Sequence, residues 1–137
     1  MAEDVDGART HGDSRASRIR AHPDADLSRD QLQTLHALLT GKRRELAAAL
    51  EALNQQIVAK EDCSLVDTAE AASLREEVAR AAGIAQQQEQ TLAEIDGALR
   101  RLEQGRYGVS EVTGEPIPYE RLLLIPWARS RPDDETV

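Results

Sequence analysis

The sequence predicts an all-α fold, a long antiparallel coiled-coil hairpin followed by a small C-terminal globular segment. Three observations carry this. Two stretches alternate apolar residues by threes and fours over many turns, which is the pattern of a helical seam. A short polar break separates them, so the two arms fold back on one another. The chain of 137 residues has no Phe, one Trp and two Tyr. Aromatic side chains supply much of the buried area of a large core, and so few of them suffice only for a small one.

Residues 1–27 are polar, rich in Asp, Arg, His, Ser and Ala, and interrupted by Gly7, Gly12 and Pro23. They are expected to form a flexible tail. The coiled coil is expected over 28–104. Ser28 is a good N-cap, and Gln31 stands at the reciprocal position of a capping box. The first seam then runs through Leu32, Leu35, Leu39, Lys42, Leu46, Ala49, Leu53 and Gln56, with Leu38, Leu50 and Ile57 widening the stripe. The pattern breaks around 60–68. A second seam runs without a slip through Leu74, Val78, Ala81, Ala85, Gln88, Leu92, Ile95, Leu99 and Leu102. Lys42, Gln56 and Gln88 are polar seam positions, of the kind that set register and limit oligomers. Gly105 stands where a left-handed C-terminal cap belongs. At 1.5 Å per residue each arm is about 40 Å long.

Beyond Gly105 the composition changes to turn residues and short extended pieces up to Pro118. Tyr119–Ile125 can form a short helix, started after Pro118 and stopped by Pro126. Leu122, Leu123, Leu124, Ile125 and Trp127 are the densest apolar cluster in the chain, and they place a small globular segment within 105–137, ending in a charged tail.

The formal net charge is −8, which disfavours direct binding to duplex DNA, because phosphates need a basic surface. A basic protein surface is the better partner. The single cysteine, Cys63, excludes an intramolecular disulfide. No secretory signal and no apolar run of membrane-spanning length are visible, so a cytoplasmic location is expected. Catalytic groupings are missing. His11, His22 and His36 lack a positioned partner group in the sequence, Cys63 lies in no reactive motif, and no phosphate loop, metal-spaced His/Cys set or nucleophile elbow occurs. The expectation is a non-enzyme.

The informative segment is the break, an acidic tip over 60–72 that holds Glu61, Asp62, Asp67 and Glu70. Asp67 or Thr68 can cap the second arm, and Glu70 suits the positive end of its dipole. Helix capping does not account for an acidic end almost free of bulky groups, whereas insertion into a basic channel or approach to a metal-bearing site does.

Here the sequence resembles the DksA/TraR family. Its tip motif, Asp-x-x-Asp-x-Ala, is matched by Asp67-Thr68-Ala69-Glu70-Ala71-Ala72, with Glu70 in place of the second Asp. The stronger match is C-terminal. Gly105-Arg106-Tyr107-Gly108, Gly114-Glu115-Pro116-Ile117-Pro118, Arg121-Leu122 and Pro126-Trp127-Ala128 look like the family's finger segment in order and spacing. The resemblance covers residues 28–131.

The resemblance implies a regulator that binds bacterial RNA polymerase, inserts the coiled-coil tip into the secondary channel and alters initiation complexes, often together with guanosine tetraphosphate. Carried over by position, Asp67, Glu70 and Ala72 are the polymerase-contacting tip residues. Four zinc-binding cysteines of typical members would fall on Ser110, Thr113, Arg131 and Asp134, none of which is cysteine. Zinc needs thiolate or imidazole donors at tetrahedral distances, so no metal and no other cofactor is expected. The finger-like segment must then be held by packing of Tyr107, Ile117, Leu122, Ile125 and Trp127. The basic positions used toward guanosine tetraphosphate fall on Glu94, Ile125 and Glu135, which offer a polyanion repulsion in place of charge-assisted hydrogen bonds; weak or no dependence on it is expected. A self-paired hairpin favours a monomer. The competing readings are a coiled-coil adaptor or assembly protein with no polymerase role and a thiol sensor working through Cys63; a DNA-binding zinc finger is disfavoured by the missing ligands and the negative charge.

Overall fold

The computed structural model describes residues 18–63 and 69–130. The described residues hold three helices: α1 (Arg29–Cys63), α2 (Ala69–Gln104) and α3 (Tyr119–Leu124). The described residues contain no strand, only two isolated bridges, Ala21 with Tyr107 and Val109 with Pro116. The two long helices pack together as the expected antiparallel hairpin. The chain divides into two compact units, Met1–Gly41 with Ile95–Val137, and Lys42–Glu94. The division falls inside the two long helices, not at the expected boundary near 105.

The start of α1 follows its capping box. The Ser28 Oγ accepts from the Gln31 backbone N–H at 3.1 Å, and the Gln31 side chain accepts from the Ser28 N–H at 2.9 Å. Two orphan donors are thereby satisfied. The end of α2 is set by Gly105, whose φ of 71° is a left-handed conformation that costs glycine nothing.

The first seam is corrected in its second half. Leu32, Leu35 and Leu39 are buried, but Lys42, Ala49 and Gln56 are exposed. The inward residues from there on are Leu46, Leu50, Leu53 and Ile57. Leu50 and Ile57 follow Leu32 and Leu39 by five full turns of a 3.6-residue helix. A straight helix drifts by about 20° per heptad against a 3.5-residue repeat, and over this length the drift turns Ala49 and Gln56 outward. Lys42 and Gln56 are therefore not polar seam positions. The seam of α2 is as expected: each position from Leu74 to Leu102 is buried or half-buried, and Ala71 extends it by a further step.

A second correction concerns the tail. Residues 18–27, expected to be flexible, belong to the fold. Ile19 is 1% exposed. The Arg20 N–H donates to the Leu102 carbonyl at 2.7 Å and the His22 N–H to the Tyr107 carbonyl at 2.8 Å. The Arg20 side chain reaches the Glu103 carbonyl at 3.2 Å. Carbonyls at a helix C-terminus lack partners within the helix, and this strap supplies them to α2.

The core of this unit is Ile19, Leu35, Leu39, Ile95, Leu102, Tyr107, Ile117 and Leu122. Three of the five residues expected to hold the finger-like segment, Tyr107, Ile117 and Leu122, are thus fully buried; Ile125 and Trp127 are half-buried. The apolar cluster divides, with Leu122 inward and Leu123 and Leu124 exposed, as one face of a six-residue helix requires. No helix among the described residues is long and apolar enough to cross a membrane.

Candidate functional site

The tip is built by the facing ends of α1 and α2. Lys60 closes the last turn of α1 and pairs with Glu77 of α2 at 3.2 Å, linking the two helices close to it. Glu61, Asp62 and Cys63 follow, all exposed, and the Cys63 thiol is in no disulfide. α2 resumes at Ala69, with Glu70 in its first turn. Glu70 and Ala72 are exposed, while Ala71 between them is 1% exposed. Asp67 lies outside the described residues.

The charges at the two helix ends are not equivalent. A carboxylate at a helix N-terminus is favourable and one at a C-terminus unfavourable, each by about 0.3–1 kcal/mol. Glu70 therefore suits its place on helix-dipole grounds. Glu61 and Asp62 stand at the negative end of α1, where the dipole opposes them. The buried Ala71 lies one step beyond the expected start of the seam, and its signal is in the sequence: it stands three residues before Leu74 and continues the three–four alternation.

The finger-like segment offers a second arrangement. Val109 and Pro116 form an antiparallel bridge, flanked by a hydrogen bond from the Ser110 N–H to the Glu115 carbonyl and one from the Ile117 N–H to the Gly108 carbonyl, both 2.8 Å. Gly108, at φ 96°, leaves room for the strap; a Cβ there would stand 2.8 Å from the Ala25 Cβ. The Ser110 side chain is buried, and its Oγ accepts from the N–H groups of Val112 at 3.1 Å and Thr113 at 3.3 Å. The Thr113 Oγ1 accepts from the Glu115 N–H at 3.3 Å. Both hydroxyls are engaged by the loop's own backbone, and neutral hydroxyls do not make the thiolate or imidazole set that zinc requires. Arg131 and Asp134 lie outside the described residues. Among those described, no three His, Cys, Asp or Glu side chains are grouped to hold a metal ion.

The remaining expected positions are separate from the tip. Glu94 is half-buried on α2, Ile125 is half-buried after α3, and Glu135 lies outside the described residues. His36 is half-buried on α1, where loss of solvation lowers its pKa and the Glu103 carboxylate opposes that shift. Arg101, found in the core of the finger-bearing unit, was not singled out from the sequence. It is 8% exposed, donates to the Trp127 carbonyl at 3.5 Å and stands 3.9 Å from the Glu111 carboxylate.

No family model matches the chain. The RNA polymerase-binding transcription factor DksA of Caulobacter vibrioides is 36% identical over 91 residues, 66% of this chain and 63% of that protein. General stress protein 16O of Bacillus subtilis is 53% identical over 38 residues, 28% of this chain and 23% of that protein. The chain thus spans less than two thirds of either curated relative. The solved structure of transcription factor DksA2 from Pseudomonas aeruginosa superposes with a TM-score of 0.71 at 33% identity, covering 78% of this chain and 81% of that one. A likeness of that extent, in sequence and in a helical hairpin bearing a small finger-like segment, places the chain in the DksA/TraR family.

Proposed function

We propose that this protein is a transcription regulator that binds bacterial RNA polymerase and inserts its tip into the secondary channel, changing the stability of open complexes. The observation that carries the reading is the likeness to DksA2 over four fifths of that protein's length, joined to a tip that exposes Glu70 and Ala72 while Ala71 anchors it. Asp67, Glu70 and Ala72 are the polymerase-contacting residues. Glu61 and Asp62, opposed by the α1 dipole, add negative charge for a basic surface. Guanosine tetraphosphate has little effect, because Glu94, Ile125 and Glu135 provide no cation for it. The finger-like segment works without zinc, its loop closed by the Ser110 hydroxyl. The protein acts as a cytoplasmic monomer, without sequence-specific DNA contacts and without enzymatic activity.

The coiled-coil adaptor is the second reading, favoured by a groove of about 550 Å³ along α1 and α2 lined by Ala47, Leu50, Val58 and Leu92. One experiment separates the two. Wild-type protein and Asp67→Asn are each bound to RNA polymerase, and open-complex lifetime is measured at a ribosomal RNA promoter. Binding by both, with the lifetime effect lost only in the variant, supports the tip mechanism. No binding by either removes the regulator reading and leaves the adaptor.

A further inference from the structure

The two compact units are held by very different amounts of buried apolar surface. All the largest fully buried side chains among the described residues, including Leu35, Ile95, Tyr107 and Ile117, belong to the unit of Met1–Gly41 with Ile95–Val137. Among the described residues of Lys42–Glu94 the buried ones are Ala71 and Ala85, whose methyl groups remove little area from water. Val58 is 57% exposed and Ile84 50%. The Lys60–Glu77 pair is about two-fifths exposed on both sides, the kind of surface ion pair that contributes little. Gly83 sits inside α2 with open space where a Cβ would be, so it lowers helix propensity with no packing reason for being there. Finally, the Oε1 of Gln88, in the α2 seam, is buried without a hydrogen-bond partner. An orphaned buried acceptor is regained by water when the seam opens, which favours the open state.

We propose that Lys42–Glu94 is a separately opening unit: it unfolds locally as a block while the finger-bearing unit stays folded, and Gln88 sets how often it does so. Local opening of this kind follows the distribution of buried apolar contacts.

Hydrogen exchange of the full-length protein, resolved by peptide, tests it with three variants. In the wild type, the central amides of 42–94 exchange faster than those of 32–39 and 95–102. Ile117→Val, a mild change in the other unit, speeds exchange there by about threefold and leaves 42–94 unchanged, because opening of 42–94 does not involve Ile117. Gln88→Leu slows exchange in 42–94 by about fivefold or more, while Leu at the exposed neighbour, Gln87→Leu, does not. Equal protection of both units, acceleration of both by Ile117→Val, or the same effect from Gln87→Leu as from Gln88→Leu each overturns the proposal.

Discussion

The Tyr107 hydroxyl donates to the Pro126 carbonyl oxygen at 2.6 Å, with the whole side chain buried. The bond ties the segment after α2 to the turn after α3. Tyr107→Phe keeps the ring and its packing but leaves the carbonyl without this donor, so a loss of about 1–3 kcal/mol is expected in urea denaturation. Burial also pushes the phenol well above its ordinary value of 10.0, with the Arg101 guanidinium opposing the shift. The folded-state value is the higher one, so this contribution is fully present below pH 10 and declines as pH rises beyond it. The Phe variant lacks that decline, which a stability series across pH 9–11 measures.

His36 gives the opposite dependence. Burial lowers its folded-state pKa below 6.5, against the Glu103 carboxylate. The contribution is present above pH 6.5 and is lost as pH falls through the lowered value. His36→Gln removes a proton uptake on unfolding, so its stability is expected to fall less than wild type between pH 7 and pH 5. Identical slopes for the two proteins would refute this assignment.

The loop of the finger-like segment depends on one hydroxyl. Ser110→Ala removes the acceptor of the Val112 and Thr113 N–H groups, with an expected cost of about 1 kcal/mol. Thr113→Ala, whose hydroxyl accepts from Glu115 at an exposed position, costs less. A strong chelator leaves the melting temperature of the wild type unchanged; a drop that added zinc reverses would contradict the zinc-free reading.

Two glycines separate close approach from mere absence of a side chain. At Gly108 a Cβ would lie 2.8 Å from the Ala25 Cβ and 2.9 Å from the Leu27 Cδ1, at a φ of 96°. Gly108→Ala forces the strap outward and is expected to destabilise by about 2 kcal/mol or more. At Gly83 nothing lies within 4 Å of the added methyl, and Gly83→Ala is expected to stabilise by about 0.5–1 kcal/mol. Thermal melts of the two variants check the opposite signs.

Much of this was legible in the residues. The α2 seam, the Ser28–Gln31 box and the stop at Gly105 are patterns written in local sequence, the first as a periodicity and the other two as contacts among residues a few positions apart. The first seam was legible at Leu32, Leu35, Leu39, Leu46 and Leu53 and not at Lys42, Ala49 and Gln56; a repeat counted in sevens and a helix turning every 3.6 residues part company after several turns, and Leu50 and Ile57 replace Ala49 and Gln56. Of the residues expected at the tip, Glu70 and Ala72 are exposed at the start of α2, and Asp67 lies outside the described residues.

The sequence by itself determined the helices, their antiparallel return and the turn chemistry around Gly105, because these follow from periodicity, capping and glycine's freedom at positive φ. Only the tertiary structure decided that Ile19 belongs to the core, that Arg101 is buried and that Ser110 closes the loop on two backbone donors. Each of these rests on a partner distant in sequence or on a local geometry that polar composition does not specify. Ile19 looks like any apolar residue in a polar tail until Leu102 and Tyr107 offer their carbonyls to the Arg20 and His22 N–H groups that follow it in the strap.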